Sequence, residues 1–367
     1  MAFRLVGCAL AQDGEILNKK QLILGLIVLA ALTVLVIWGR NRIHFDFAVF
    51  AAQLARASWG RIAAGLACIY LAYFLRSLRW AALMRHSRKV GPLTLLGTQV
   101  IGFTAIALIG RVADLVRPFL VARKTGEPLA SQMAVYVVER LFDFGSMALI
   151  FSSMILFTPG GSIPHPELVR KTGIWGMVGT FAGVLFLIAV RLSGNLIAAA
   201  MEKAFGIFSR KLGHAIGNKI RAFNDGLNTI RSFSDFAVTL VYSLAMWILI
   251  TAAYFITMRA FIASPQLAQI TPAQSAVMML VSGTASSIQL PIIGWFTQIG
   301  IVATAITSFF GAEPEAATAC AATLLVVTFL GIVPVGLIWS QFENISLRKI
   351  TAESEHAGSK EETQVEV

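Results

Sequence analysis

The sequence predicts an all-α polytopic membrane protein. It would have about six full transmembrane helices plus two re-entrant, interrupted helical hairpins. Three observations carry this. Of 367 residues, 57% are hydrophobic and only 13% are charged, about half the charged share of a soluble domain. Mean hydropathy is +0.75, too high to hide in one water-soluble core. Apolar runs long enough to cross a bilayer recur along the chain. A soluble enzyme, a disordered chain and a collagen-like chain are excluded.

Thirty Lys and Arg stand against 19 Asp and Glu. In a membrane protein that excess marks cytoplasmic loops and an anionic lipid surface. No basic stripe carries a nucleic-acid reading module, so no nucleic acid is expected. Cys8, Cys68 and Cys320 are far apart, and the five histidines are scattered singly. No disulfide framework, metal site or cofactor follows. A Gly-rich phosphate loop and a Gly-x-Ser-x-Gly elbow are both missing, so no enzyme is expected.

Residues 1–20 form a short cytoplasmic N-terminus ending in Lys19 and Lys20, and residues 21–38 form the first span. Phe45, Phe47, Phe50 and Leu54 suggest a helix lying in the interface. Residues 62–84 form the second span, followed by Arg85, Arg88 and Lys89. Arg76 and Arg79 near its end are explained by snorkelling to the head-groups. The positive-inside rule puts this end in the cytoplasm.

Residues 93–110 are apolar. They either span, or dip in and return with breaks at Gly102 and Gly110. The hairpin is favoured, because a span would strand Arg111, Arg117, Arg123 and Lys124 outside. Residues 130–157 then run outward and 174–190 return. Residues 196–233 recur in apolar positions every three or four residues, with basic residues between. They read equally as helices on the cytoplasmic membrane face or as a packed connector. Residues 236–261 span outward. Residues 271–289 and 295–310 are short and interrupted by Pro291 and Gly294, a second hairpin from the outside. Residues 316–339 form the last span, kinked near Pro334. Residues 346–367 are a polar, disordered cytoplasmic tail. The membrane domain is therefore 21–345. Gly-Phe-Thr-Ala at 102–105 and Ser-Gly-Thr-Ala at 282–285 faintly echo each other. Such paired short segments suggest an inverted repeat with a site between them.

Intramembrane charges are functional candidates by default. The first cluster is Gly110-Arg111-x-x-Asp114-x-x-Arg117-Pro118. As a helix it puts Arg111, Asp114 and Arg117 on one face. Asp114 would pair with one arginine and leave positive charge for a lipid phosphate, which suits the guanidinium fork. The second cluster, Glu139-Arg140-x-x-Asp143, sits about ten residues into an apolar run. It reads as a cavity charge network, either a structural ion-pair set or a proton relay. Gln289, Pro291, Gly294 and Gln298 are the breaks and polar lining of the second hairpin. They either bind a head-group or satisfy broken backbone.

These paired motifs, Gly110-Arg111-x-x-Asp114-x-x-Arg117-Pro118 and Val137-Val138-Glu139-Arg140-x-x-Asp143, resemble the lysylphosphatidylglycerol synthase transmembrane region, or flippase-like domain, family. The resemblance covers residues 20–345. Ala113 and Asp114 stand where the family pattern has Gly and Glu, and Gln298 stands where it often has Glu. Nothing resembles the synthase domain of bifunctional members, so aminoacyl transfer is not expected from this chain. The resemblance implies movement of an anionic or modified phospholipid, or another polar lipid, between leaflets. It would act in the cytoplasmic membrane of a bacterium, with both termini inside. The alternative is a non-transporting membrane partner that recruits a lipid-modifying enzyme, docked on 196–233.

Overall fold

The computed structural model describes residues 45–156, 166–207, 209–210, 213–214, 216–217, 232–286, 293–343, 345 and 353. All regular structure among them is helical. The chain divides into two compact units, Met1–Phe47 and Ala48–Val367. In the first, the rings of Phe45 and Phe47 meet edge to face at 5.1 Å. The N-terminus and first span predicted over 1–38 lie outside the described residues, as does the tail over 346–367 apart from Glu353. Helix α1 (Phe47–Ala55) forms where a helix in the interface is expected, and none of its residues is buried.

The second unit is built on an antiparallel pair, α2 (Trp59–Met84) and α7 (Phe233–Met258). At one end the Ser58 amide donates to the Ala260 carbonyl at 2.8 Å. At the other, Arg85 and His86 pair with Asp235. Asp235 also closes a capping box with Ser232 and so starts α7. Gly65 lets the pair approach closely, because a side chain there would meet Thr257 and the Ala253 carbonyl. Lipid tails are as apolar as leucine, so small residues and buried polar bonds hold such helices together. Ala316, Ala317, Ala319 and Cys320, all buried, serve the same purpose further along.

Helix α3 (Pro92–Ile109) starts with proline in its first turn, where no N–H is needed. It stops at Gly110, whose φ of 97° and ψ of −167° suit essentially glycine alone. A 3-10 turn, Arg111–Leu115, leads into α4 (Val116–Thr125). Pro118 falls in the first turn of α4, where it is tolerated. Gly126, with φ 70°, caps α4 in the left-handed conformation. Arg88, just before α3 begins, donates to the Thr125 carbonyl at the end of α4. The segment therefore leaves and returns at the same end, as a hairpin folded at Gly110. Gly110→Ala should cost about 1–3 kcal/mol. Thermal melting in detergent checks this, and a variant melting with the wild type would refute the glycine requirement.

Helix α5 (Leu129–Leu156) packs on α6 (Pro166–Gly206), where Gly173 and Gly176 pass close to Ser152. Helix α6 runs through the predicted return segment and breaks at Ser193, with φ −137°. Beyond Gly206, His214 turns back onto Glu202. Residues 218–231 of the predicted amphipathic stretch lie outside the described residues.

Helix α8 (Pro272–Ala285) opens with a Thr271–Gln274 capping box, and α9 (Ile293–Phe310) follows. They form a second hairpin, tied by Gln298 Nε2 donating to Ser282 Oγ at 2.9 Å. It starts at the end opposite the first hairpin. Arg259, beside the Ala260 end of α7, donates to the Ala268 carbonyl three residues before Thr271.

Helix α10 (Pro314–Leu325) passes through a wide turn, Val326–Leu330, into α11 (Ile332–Phe342) with a 43° bend. The bend lies a turn before the expected Pro334. Proline lacks an N–H and its ring displaces the carbonyl four residues earlier, here that of Leu330. The helix answers with a five-residue step, Gly331 donating to Val326 at 2.6 Å. Helix α11 packs on α3, where Gly336 faces Thr104 and the Val100 carbonyl.

Helices α2, α3 and α7 are long and apolar enough to cross a membrane, and the bent α10–α11 pair makes a fourth. Helix α5 has 28 residues but carries the Glu139–Asp143 charges.

Candidate functional site

Glu139 and Asp143 lie one turn apart on α5 and face α2. There Arg76 and Arg79, three residues apart, meet them. Arg76 donates to Glu139 Oε1 at 2.8 Å and to Asp143 Oδ2 at 3.1 Å. Arg79 donates to Glu139 Oε1 and to Asp143 Oδ1, both at 2.7 Å. From α4, Arg117 reaches both Glu139 oxygens, at 2.9 and 2.8 Å. Its Nε and Nη2 also hold Gln99 Oε1 of α3, at 2.9 and 2.7 Å. Ser243 and Trp247 of α7 complete the shell, on Arg79 and Asp143 respectively. One carboxylate oxygen of Glu139 thus serves three guanidinium groups. Glu139 and Arg79 are each 1% exposed and Arg117 is 0% exposed.

Local sequence explains the approach. Gly102 on α3 leaves space that the Arg117 side chain fills. The Arg117 guanidinium then lies 4.5 Å from the Phe103 ring centre and 5.2 Å from that of Trp80. The faces of these rings attract a cation.

Arg76 and Arg79 correct the expectation that they snorkel to the interface. They are buried and join the network. The missed signal is position. About 12 Å of helix separate Arg76 from Met84 at 1.5 Å per residue. Arg117, expected to hold a phosphate, turns inward to Gln99 and Glu139, and Asp114 is not its partner. The Arg111 side chain, and all of Gln289 and Pro291, lie outside the described residues.

Arg140 points elsewhere. Its guanidinium sits 5.0 Å from the Tyr136 ring centre and 3.8 Å from Asp143. Its Nε and Nη2 have no hydrogen-bond partner among the described residues. It faces a cavity of about 240 Å³. That is below the roughly 300–1,000 Å³ of drug-sized sites, so it suits a head-group rather than a whole lipid. Arg76, Asp114, Tyr73 and Phe103 line one side. Ser282, Gly283, Ser286 and Gln298 of the second hairpin line another, with Thr328 and Phe329 of the wide turn.

The cavity therefore lies where the two hairpins and the wide turn converge. The hairpins meet there tip to tip, Trp295 Nε1 donating to the Ala107 carbonyl at 3.1 Å. Gly294, buried in the first turn of α9, sits beside that contact. Gln298 keeps one unpartnered amide oxygen, Oε1. Among the described side chains, Arg76, Arg79, Arg117 and Arg140 outnumber the carboxylates Asp114, Glu139 and Asp143. An excess of cations in a poorly solvated site favours an anionic guest.

Neither curated proteins nor solved structures yield a match to this chain. Residues 22–336 match the family described as the lysylphosphatidylglycerol synthase TM region. The match and the apolar helices both point to a membrane protein, and the family to lipid handling. With most of its length matched, the chain belongs to the lysylphosphatidylglycerol synthase TM region family.

Proposed function

We propose that this protein is a flippase-like transporter that moves an anionic or modified phospholipid, or a similar polar lipid, between leaflets. The observation that carries the reading is the cationic cavity between the tips of two opposed hairpins. Interrupted helices belong at membrane depth only where they are buried or line a cavity. In transporters, paired interruptions mark the substrate site. The head-group phosphate pairs with Arg140 and Arg76, the two guanidinium groups that line the cavity. Arg79, Arg117, Glu139 and Asp143 hold the surrounding helices. No catalytic step is assigned to the site.

In this reading α3–α4 and α8–α9 are re-entrant hairpins from opposite membrane faces, in an inverted repeat. Among the described residues the crossings are then α2, α5, part of α6, α7 and α10–α11, to which the sequence-based expectation adds a sixth over 21–38. Arg85, Arg88, Lys89, Arg123 and Lys124 gather at one end. The positive-inside rule makes that end cytoplasmic, with both termini, in a bacterial cell membrane. Anionic lipids would line the same face.

The test is head-group accessibility in proteoliposomes carrying trace labelled anionic and zwitterionic phospholipids. Wild-type protein should expose the inner-leaflet pool. Arg140→Gln should abolish exposure while inserting normally, because among the described residues Arg140 makes only one long ion pair. If Arg140→Gln transports like the wild type, the head-group assignment is wrong. If the inserted wild type exposes no lipid, the protein is instead a membrane partner that recruits a lipid-modifying enzyme. An Arg117 variant is a poor probe, since it disturbs the buried network as well.

A further inference from the structure

Two residues that line the cavity, Arg140 and Gly283, also keep accessible surface. Arg140 is the twelfth residue of α5, about 17 Å along a helix of about 42 Å. Gly283 is the twelfth residue of α8, close to the tip of the second hairpin. It lines the cavity, is exposed, and has nothing within 4 Å of where a Cβ would stand. The mouth of the cavity thus lies between α5 and α8 at mid-depth, where a membrane protein faces acyl chains rather than water.

The outer surface beside that mouth is apolar. Val137 and Phe144 lie one turn below and above Arg140 on the same helix face, 38% and 65% exposed. A cation bracketed by exposed apolar side chains complements one kind of molecule, an acidic head-group joined to hydrocarbon. We infer that the cavity opens sideways between Arg140 and Gly283. Through this portal a phospholipid docks its phosphate on Arg140 while its acyl chains stay outside along Val137 and Phe144. This rests on the lipid reading above and adds the route, the orientation and the gatekeeping position. Only the head-group needs to fit within about 240 Å³.

The test is photo-crosslinking of the full chain in phosphatidylcholine vesicles. Two phosphatidylglycerol probes are used, one with a diazirine in the head-group and one with it in an acyl chain. The head-group probe should label the cavity, at Met147 or Met279. The acyl-chain probe should label Phe144 above the general lipid-facing level at Val241 of α7, itself 62% exposed. A Cβ at Gly283 meets nothing within 4 Å, so Gly283→Trp should plug the mouth and Gly283→Leu should narrow it. Each, like Arg140→Gln, should lower both adducts by about tenfold, the loss expected for one charged or steric contact. Gly179→Trp, also in open space but on α6, should leave them unchanged.

Head-group adducts that persist in Gly283→Trp would overturn the portal. So would Phe144 labelling no stronger than that of Val241. The assay reads binding, so it separates this proposal from transport. Adducts without lipid movement keep the portal and refute the transporter. Lipid movement with no cavity adducts does the reverse.

Discussion

Glu139→Ala is expected to destabilise the protein by about 3–5 kcal/mol, the usual range for breaking a buried ion pair. Arg76, Arg79 and Arg117 all converge on this one carboxylate. Its removal leaves Asp143 to neutralise two of them, and Arg117 keeps only the neutral Gln99. An unpaired charge away from water carries a large penalty. The variant should insert poorly or melt early in detergent. Glu139→Gln keeps acceptor oxygen but not charge, so it should fall between. Melting of Glu139→Ala with the wild type would show that the network is not structural. A variant that melts normally yet fails in the lipid assay would point to a proton-relay role for this carboxylate.

Gly102→Leu should rank next. The added side chain would occupy the space of Arg117 Cγ, close to its backbone. Either α4 moves off α3, or Arg117 leaves Glu139. Overpacking costs about 1–3 kcal/mol, and loss of the ion pair adds to it. Gly300→Leu is the matched control, because nothing lies within 4 Å of that position. Its melting should equal or exceed the wild type, since leucine is the better helix former. Similar melting of the two variants would mean that the close approach of α3 and α4 is unimportant. A double variant with Arg117→Ala should recover part of the Gly102→Leu loss in packing, while keeping the loss of charge pairing.

The breaks at Gly110 and near Pro334 were legible because backbone chemistry is local. Gly110 announces a conformation other residues avoid, and Pro334 announces a missing donor. The basic residues after α2 and α4 announce the same end twice, and Arg88 meeting Thr125 bears that reading out. The motif pair placed the charges on the right elements for the same reason. Spacing along a helix tells which side chains share a face.

What a face looks at is another matter. The membrane class, the family, the breaks at Gly110 and near Pro334, and the need for partners around Glu139 and Asp143 were readable along the chain. Who those partners are was set by packing. It turned Arg117 inward against Gln99, drew Arg76 and Arg79 off the interface, and left Arg140 on the cavity. It also brought Ala107 to Trp295 across 188 positions. The reason is physical. Helix periodicity is set by bonds four residues apart, whereas charge pairing in a low-dielectric interior depends on ångström distances between helices that the chain's order does not specify.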